Sequence, residues 1–113
     1  MSTSSTGAAA VDLAAALIRI DSVNPNLVSG ADGEARIAAA LAERLEAAGY
    51  TVQLVAAPSD SRRVSLIAER TSPRPGRTVV LNGHLDTVGV EGMPDPFVPR
   101  IHDGRLTGRG PAT

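Results

Sequence analysis

The 113-residue sequence contains no cysteine, no tryptophan and no lysine, and it has one tyrosine and one phenylalanine. Without cysteine the chain has no disulfide framework, no thiolate metal site and no cysteine nucleophile. Its 11 basic residues, all arginine, nearly balance 12 acidic ones, so the net charge of -1 argues against a nucleic-acid or membrane-surface binder. Because aromatic side chains are so few, the core must come from Ala, Val, Leu and Ile, which a hydrophobic content of 42% permits.

No segment has the pattern of a targeting signal or a membrane span. The Ser/Thr/Gly-rich start lacks the basic region of a signal peptide, and we predict a disordered terminus over 1–7. The apolar run over 8–20 is interrupted by Asp12 and Arg19, and it is shorter than the roughly 20 apolar residues that a span needs. We therefore expect a cytoplasmic location.

The spacing of apolar residues predicts two helices in the first half of the chain. A helical period runs over 8–20, and Asn24-Pro25 stops it because the residue before a proline avoids helical geometry. The second helix is predicted over 34–48, where apolar residues form one stripe and charged residues cover the rest. Gly49 follows directly, as expected of a C-terminal cap.

The second half of the chain predicts strands. They are expected over 51–55, 64–69 and 78–82, with a turn over 58–62 and a small hairpin over 101–107. The third strand contains Val79-Val80-Leu81, a continuous apolar run typical of a strand buried on both faces of a central sheet. Asp103-Gly104 suits the turn of the hairpin. Helices that precede strands indicate an α/β layer fold.

A polar motif, Asn82-Gly83-His84-Leu85-Asp86-Thr87-Val88, lies at the C-terminal end of the predicted third strand. In open α/β sheets, ligands bind outside the carboxyl ends of the strands. His84 and Asp86 are two positions apart, so in an extended segment both side chains project to the same side. A carboxylate often holds the second ring nitrogen of a metal-binding histidine. The motif therefore predicts either a metal ligand supported by Asp86 or, more simply, a polar turn that caps the strand.

The segment His84-Leu85-Asp86-Thr87-Val88 resembles the first metal-binding motif of the zinc-dependent amidohydrolases and exopeptidases. This family includes acetylornithine deacetylase, succinyl-diaminopimelate desuccinylase, aminoacylase-1 and carboxypeptidase G. Other segments are similar to the same family in the same order along the chain. They are Ile18 to Pro25, Glu34 to Tyr50, Asp95 to Phe97 and Asp103 to Gly110.

The resemblance implies that 8–113 is the N-terminal portion of a three-layer catalytic domain, with a mixed sheet flanked by helices, and that it is incomplete. It implies that His84 ligates one of two zinc ions, with cobalt as an alternative, and that Asp86 is a catalytic residue that orients His84. The family's metal-bridging Asp, its adjacent Glu pair, its distal His and its dimerisation domain have no counterpart in this sequence. Because a catalytic zinc normally takes three protein ligands, we expect the chain alone to be inactive.

The activity that the resemblance implies is metal-dependent hydrolysis of an amide bond in N-acyl amino acids or small peptides. A deacylase is the first expectation, and a dipeptidase or carboxypeptidase, hence a metallopeptidase, is the next. Two alternatives stay open: a non-catalytic binding or interaction module, and a pseudogene product of the same family. Nothing after Leu85 is suited to cover the second face of the third strand, so we also expect marginal stability and self-association through an exposed sheet surface.

The remaining polar residues predict no further site. His102 lies beside a probable turn position and is expected to be an ordinary surface residue. The glycines at 104, 108 and 110 do not have the spacing of a phosphate-binding loop. The other acidic residues are expected to be solvated charges on exposed helix faces or loops. They are Asp32, Glu34, Glu43, Glu46 and Asp60.

Overall fold

The structure, a computed structural model, describes the backbone of residues 2–109 and the side chains of residues 7–109. These residues form two helices and two antiparallel strand pairs, which confirms the predicted α/β class. In chain order the elements are α1 (Ser2–Ile18), α2 (Ala35–Ala47), β1 (Thr51–Ala57), β2 (Asp60–Glu69), β3 (Arg100–His102) and β4 (Arg105–Thr107). No helix among the described residues is long and apolar enough to cross a membrane.

The first helix begins earlier than the sequence predicts. We predicted a disordered terminus over 1–7, whereas α1 begins at Ser2 and runs through that segment; Met1 lies outside the described residues. The alanine run that follows favours helix strongly enough to extend it backward through the small polar residues. At its other end the helix stops at Ile18, which is buried, ahead of the predicted stop at Asn24-Pro25.

The second helix agrees closely with its prediction. It spans Ala35–Ala47, and its buried residues Ile37, Ala38 and Ala42 face the β1–β2 hairpin. Gly49 has a φ of 93°, the left-handed conformation that glycine adopts without strain. The N–H of Tyr50 donates to the Leu45 carbonyl at 2.9 Å and that of Gly49 to the Glu46 carbonyl at 3.0 Å. These two bonds form a Schellman cap, which satisfies the last helical carbonyls.

Two hairpins supply all the strands of the described region. β1 and β2 pair antiparallel from Thr51↔Glu69 to Ala56↔Val64, with a register shift between Ala56 and Ala57 before the turn. β3 and β4 pair antiparallel from Arg100↔Thr107 to His102↔Arg105, which confirms the small hairpin predicted over 101–107. At its turn Asp103 and Gly104 have φ values of 50° and 73°, and positive φ at both central residues suits the twist of the flanking strands.

The prediction of a third strand over 78–82 is wrong. Residues 77–86 are extended but belong to no strand, and Val79, Val80 and Leu81 are 79%, 82% and 92% exposed. A strand needs a neighbour for its N–H and C=O groups, and β1 and β2 pair only with each other. A continuous apolar run therefore predicts a doubly buried strand only where other elements are present to pair with it and cover it.

Gly33 is a point of close approach between the loop before α2 and the β1–β2 hairpin. Its φ is 75°, and a Cβ placed there would overlap the Arg62 carbonyl oxygen and lie 2.8 Å from the Arg62 Cβ. The backbone also joins the two segments here, because the N–H of Glu34 donates to the Arg62 carbonyl at 3.0 Å. Glycine is required at this position both for its conformation and for its lack of a side chain.

We predict that Gly33→Ala destabilises the chain more than Gly30→Ala does. Gly30 has a similar φ of 80° but open space around its Cβ position, so it isolates the conformational cost. That cost should be about 1 kcal/mol, and the overlap at Gly33 should add about 1–3 kcal/mol. Urea denaturation followed by circular dichroism measures both free energies of unfolding. Equal losses for the two variants would show that the loop and hairpin are not in this close contact.

We propose that the exposed run at 79–81 makes the purified chain self-associate, because an uncovered apolar segment with unpaired backbone groups favours intermolecular contacts. Val80→Asp should shift sedimentation-velocity profiles toward monomer, since it places a charge in that run. Thr71→Asp, an equal charge change at another exposed position, should leave them unchanged. A wild-type chain that stays monomeric at all concentrations and unfolds in one sharp transition would contradict the proposal.

Candidate functional site

A short backbone pairing brings two distant segments of the chain together. Val23 and Thr87 form an isolated parallel bridge. The N–H of Asn24 donates to the Thr87 carbonyl, and the N–H of Thr87 donates to the Ser22 carbonyl, each at 2.9 Å. Ser22, Val23 and Thr87 are 1%, 4% and 5% exposed, so water does not compete with these bonds. The pairing sets Asn24 beside the residue that precedes Thr87.

The turn after this pairing is held by short-range bonds to Asn24. Its Oδ1 accepts from the N–H of Asn26 at 2.7 Å, and its carbonyl accepts from the N–H groups of Leu27 and Val28 at 3.1 and 3.0 Å. An asparagine side chain that bonds the backbone two residues on forms an Asx turn, which suits the sequence Asn24-Pro25. The hydrogen bond with Asn26 therefore helps to fix the side chain of Asn24 independently of its contacts with distant residues.

His84 and Asp86 form the contact that the sequence predicts. The His84 Nδ1 lies 3.2 Å from Asp86 Oδ1 and 2.9 Å from the Asp86 carbonyl oxygen. Both neighbours are acceptors, so Nδ1 carries the proton and Nε2 keeps its lone pair in the neutral ring. The His84 side chain is 74% exposed, which leaves Nε2 accessible. The two residues lie in an extended segment rather than beyond a strand, and their metal-binding and catalytic roles stay predictions.

Asp86 is held from its other side by residues that the sequence analysis did not single out for the site. Asn24 Nδ2 donates to Asp86 Oδ2 at 2.7 Å. Arg63 Nη2 lies 3.9 Å from the same oxygen, and Arg63 Nη1 donates to Asn24 Oδ1 at 3.1 Å. The two Asp86 oxygens therefore have different partners, His84 on one and Asn24 with Arg63 on the other.

Glu34 is the most buried residue in this group of contacts. Arg63 Nε donates to both Glu34 oxygens, at 2.9 and 3.1 Å, and this hydrogen bonding raises the pKa of the Arg63 guanidinium above its ordinary value. We predicted Glu34 to be a solvated charge, and that is wrong, because the residue is 8% exposed at the start of α2. A carboxylate that loses its water needs a charged, hydrogen-bonded partner, and the Arg63 side chain supplies one.

Asp60, also predicted to be a solvated charge, is held in a close ion pair with Arg62. Its carboxylate accepts from Arg62 at Nε, Nη2 and the backbone N–H, at 2.9, 2.8 and 3.0 Å. The side-chain hydrogen bond with Arg62 is the main reason that the pKa of Asp60 falls to about 2. This pair is near the hairpin turn and contacts neither His84 nor Asp86. It stabilises the turn rather than the candidate site.

His102 lies at the end of β3, next to the hairpin turn, with its side chain 89% exposed. Its Nε2 is 3.3 Å from the Asp103 carboxylate, which is 85% exposed. The position agrees with the prediction of an ordinary turn residue. His102 and Asp103 thus form a solvent-exposed His–Asp pair. Among the described residues, this pair lacks the supporting contacts that Asn24 and Arg63 make with Asp86 beside His84.

The described residues fit one ligand position of a zinc site but not a complete site. The His84 imidazole has the chemistry of a zinc ligand, with Nδ1–H donated to the Asp86 carbonyl oxygen, the Asp86 carboxylate beside it and Nε2 accessible. Within residues 2–109, no group of three or more His, Asp, Glu or Cys side chains lies close enough together to hold a metal ion. His84 with Asp86 could therefore supply one metal ligand at most, and a complete site would need further ligands that the described residues do not bring together.

Comparisons with curated proteins agree with the family that the motifs indicate. The chain is 42% identical over 105 residues to a succinyl-diaminopimelate desuccinylase of Zymomonas mobilis, a match covering 88% of this chain and 25% of the relative. It is 38% identical over 109 residues to that of Methylibium petroleiphilum, covering 91% of this chain and 26% of the relative. It is 40% identical over 81 residues to that of Cupriavidus necator, covering 66% and 21%. No protein-family model matches the chain, and no solved structure matches it significantly.

These similarities extend along most of the chain. The chain therefore belongs to the amidohydrolase and exopeptidase family of succinyl-diaminopimelate desuccinylase. It spans about a quarter of the length of the curated relatives it matches.

Proposed function

We propose that this chain contributes a metal ligand, His84, to a metal-dependent amidohydrolase that removes the acyl group from an N-acyl amino acid. The observation that carries the proposal is the pair of acceptors on His84 Nδ1, at 2.9 and 3.2 Å, which fixes the tautomer with a lone pair on Nε2. The relatives are named for removing a succinyl group, so an N-succinyl amino acid is the first substrate class to test.

The proposed cofactor is zinc, with cobalt as an alternative, and the complete family site would hold two ions. When bound, zinc supplies a Lewis acid for the amide carbonyl and lowers the pKa of a water molecule. The residues of this chain would position the His84 imidazole. The Asp86 carbonyl oxygen accepts a hydrogen bond from His84 Nδ1 at 2.9 Å, and the Asp86 carboxylate lies 3.2 Å from the same nitrogen. Together they keep the imidazole in one orientation and make Nε2 a better donor to a cation.

The ligand count limits what the chain does alone. The described residues offer one imidazole, whereas a catalytic zinc takes three protein ligands. A single ligand binds a cation weakly and does not hold a substrate carbonyl beside it. We therefore propose that the chain is inactive by itself, and that its substrate, a small N-acyl amino acid or peptide, is processed only when the other ligands are supplied.

We predict that the chain binds Zn²⁺ weakly through His84 and shows no amidase activity. His84→Ala should weaken binding by roughly tenfold or more, because it removes the only supported imidazole. His102→Ala is the matched control, since it removes the exposed histidine that also neighbours an aspartate. Zinc-indicator competition measures the affinities, and amine release from N-succinyl and N-acetyl amino acids measures turnover.

Equal zinc affinities for the wild type and His84→Ala would contradict the ligand role. Turnover by the wild-type chain that disappears in His84→Ala would contradict the inactivity. It would mean that a second copy of the chain supplies the missing ligands.

A further inference from the structure

We propose that Asn24 is a positioning residue that holds Asp86 against His84. The inference deepens the proposed function and rests on it in one respect, since it takes His84 Nε2 as the atom to be presented to a metal ion. Asn24 and Asp86 are 62 positions apart in the chain, yet Asn24 Nδ2 is 2.7 Å from Asp86 Oδ2. This is the shortest of the side-chain contacts around Asp86.

The contact fixes how the Asp86 carboxylate is turned. Asn24 takes Oδ2, and His84 Nδ1 lies 3.2 Å from Oδ1. Because the two partners use different oxygens, rotation of the carboxylate about its Cβ–Cγ bond would break at least one contact. Without the Asn24 donor the carboxylate keeps the contact with His84, whose side chain is largely exposed to water, and the more distant Arg63 Nη2 at 3.9 Å. The hydrogen bond from Asn24 is therefore the second contact that defines the orientation of the Asp86 carboxylate.

The orientation of the Asn24 amide is itself determined by its partners. Its oxygen accepts from two N–H groups, the backbone N–H of Asn26 at 2.7 Å and Arg63 Nη1 at 3.1 Å. An amide nitrogen has no lone pair to accept either bond, so the opposite assignment of the two amide atoms is excluded. The nitrogen must then face Asp86, where the neighbouring atom is an acceptor.

The supporting contacts connect the buried Glu34 carboxylate to the exposed His84 imidazole. Glu34 is 10% exposed at its side chain and binds Arg63, which is 24% exposed. Arg63 donates to Asn24, and Asn24 donates to Asp86, which is 26% exposed. His84, at the far end, is 74% exposed. A series of bonds anchored in the protein and ending at an accessible imidazole is suited to presenting one ring nitrogen to a ligand in solution.

The Asx turn and the contact with Asp86 use different atoms of Asn24. A substitution can therefore remove the contact with Asp86 and keep the turn. The turn needs Oδ1 and the backbone, whereas the contact with Asp86 needs Nδ2. Asn24→Asp keeps an acceptor for Asn26 and Arg63, but it removes the donor and places a second negative charge beside Asp86. Asn26→Asp adds the same charge two positions away on an exposed residue and serves as the matched control.

The test is the tautomer of His84, read from the ¹⁵N shifts of its two ring nitrogens in long-range ¹H–¹⁵N NMR spectra. Spectra are recorded on the alkaline plateau, where the ring ¹⁵N shifts no longer change with pH. His102, the other histidine in the chain, is the internal reference. We expect the Nδ1–H form to predominate at His84 and its ratio to the Nε2–H form to fall roughly two- to tenfold in Asn24→Asp. The ratio should be unchanged in Asn26→Asp and at His102.

An unchanged His84 tautomer ratio in a folded Asn24→Asp chain would overturn the proposal. If that variant does not fold, exchange of the wild-type side-chain amide protons decides the matter. Those of Asn24 should exchange more slowly than those of Asn26 and Asn82, which are exposed, and equal rates would overturn it. A tautomer shift without zinc binding at His84 would instead leave the positioning intact and contradict the proposed function.

Discussion

Two backbone hydrogen bonds between residues 22–24 and Thr87 hold the candidate site together. They are the contacts that join the chain after α1 to the segment carrying His84, and they are made where neighbouring residues are almost fully buried. The hydrogen bond from Asn24 to Asp86 depends on them, because they place Asn24 beside a residue far along the sequence. The segment 77–86 belongs to no strand, so this pairing at Thr87 supplies the backbone contact that anchors its end.

The charges of the site follow from this arrangement. Asp86, Glu34 and Arg63 meet near Asn24, so one arginine contacts two carboxylates. Glu34 takes the close contact because it is the more buried of the two and has the greater need for a hydrogen-bonded cation. Asp86 lies at 3.9 Å from Arg63 and keeps its closer contacts for Asn24 and His84. This division leaves Asp86 Oδ1 beside His84 Nδ1.

Features encoded by neighbouring residues could be predicted from the sequence. The helix over 34–48 followed from its apolar stripe and Gly49, and the hairpin at 101–107 followed from Asp103-Gly104. The approach of Asp86 to the His84 ring is equally local, since two residues separated by one position share a side of an extended chain.

Features that depend on distant partners could not be predicted in the same way. The run Val79-Val80-Leu81 has the composition of a buried strand, but pairing requires a neighbour that composition does not reveal. Glu34 looked like an ordinary helix-start carboxylate, and its burial depends on Arg63, 29 positions later. The role of Asn24 depends on a residue 62 positions away, although the match of 18–25 to the family placed Asn24 in a segment worth examining.

Amide hydrogen exchange measured by NMR on the wild-type chain tests the central claim most directly. If residues 22–24 are paired with Thr87, the N–H groups of Asn24 and Thr87 should be protected, while those of Val79 to Leu81 exchange at the rate of an open chain. Exchange of the Thr87 amide as fast as that of Val80 would show that the pairing is absent. The positions assigned to Asn24, Asp86 and His84 would then lose their basis.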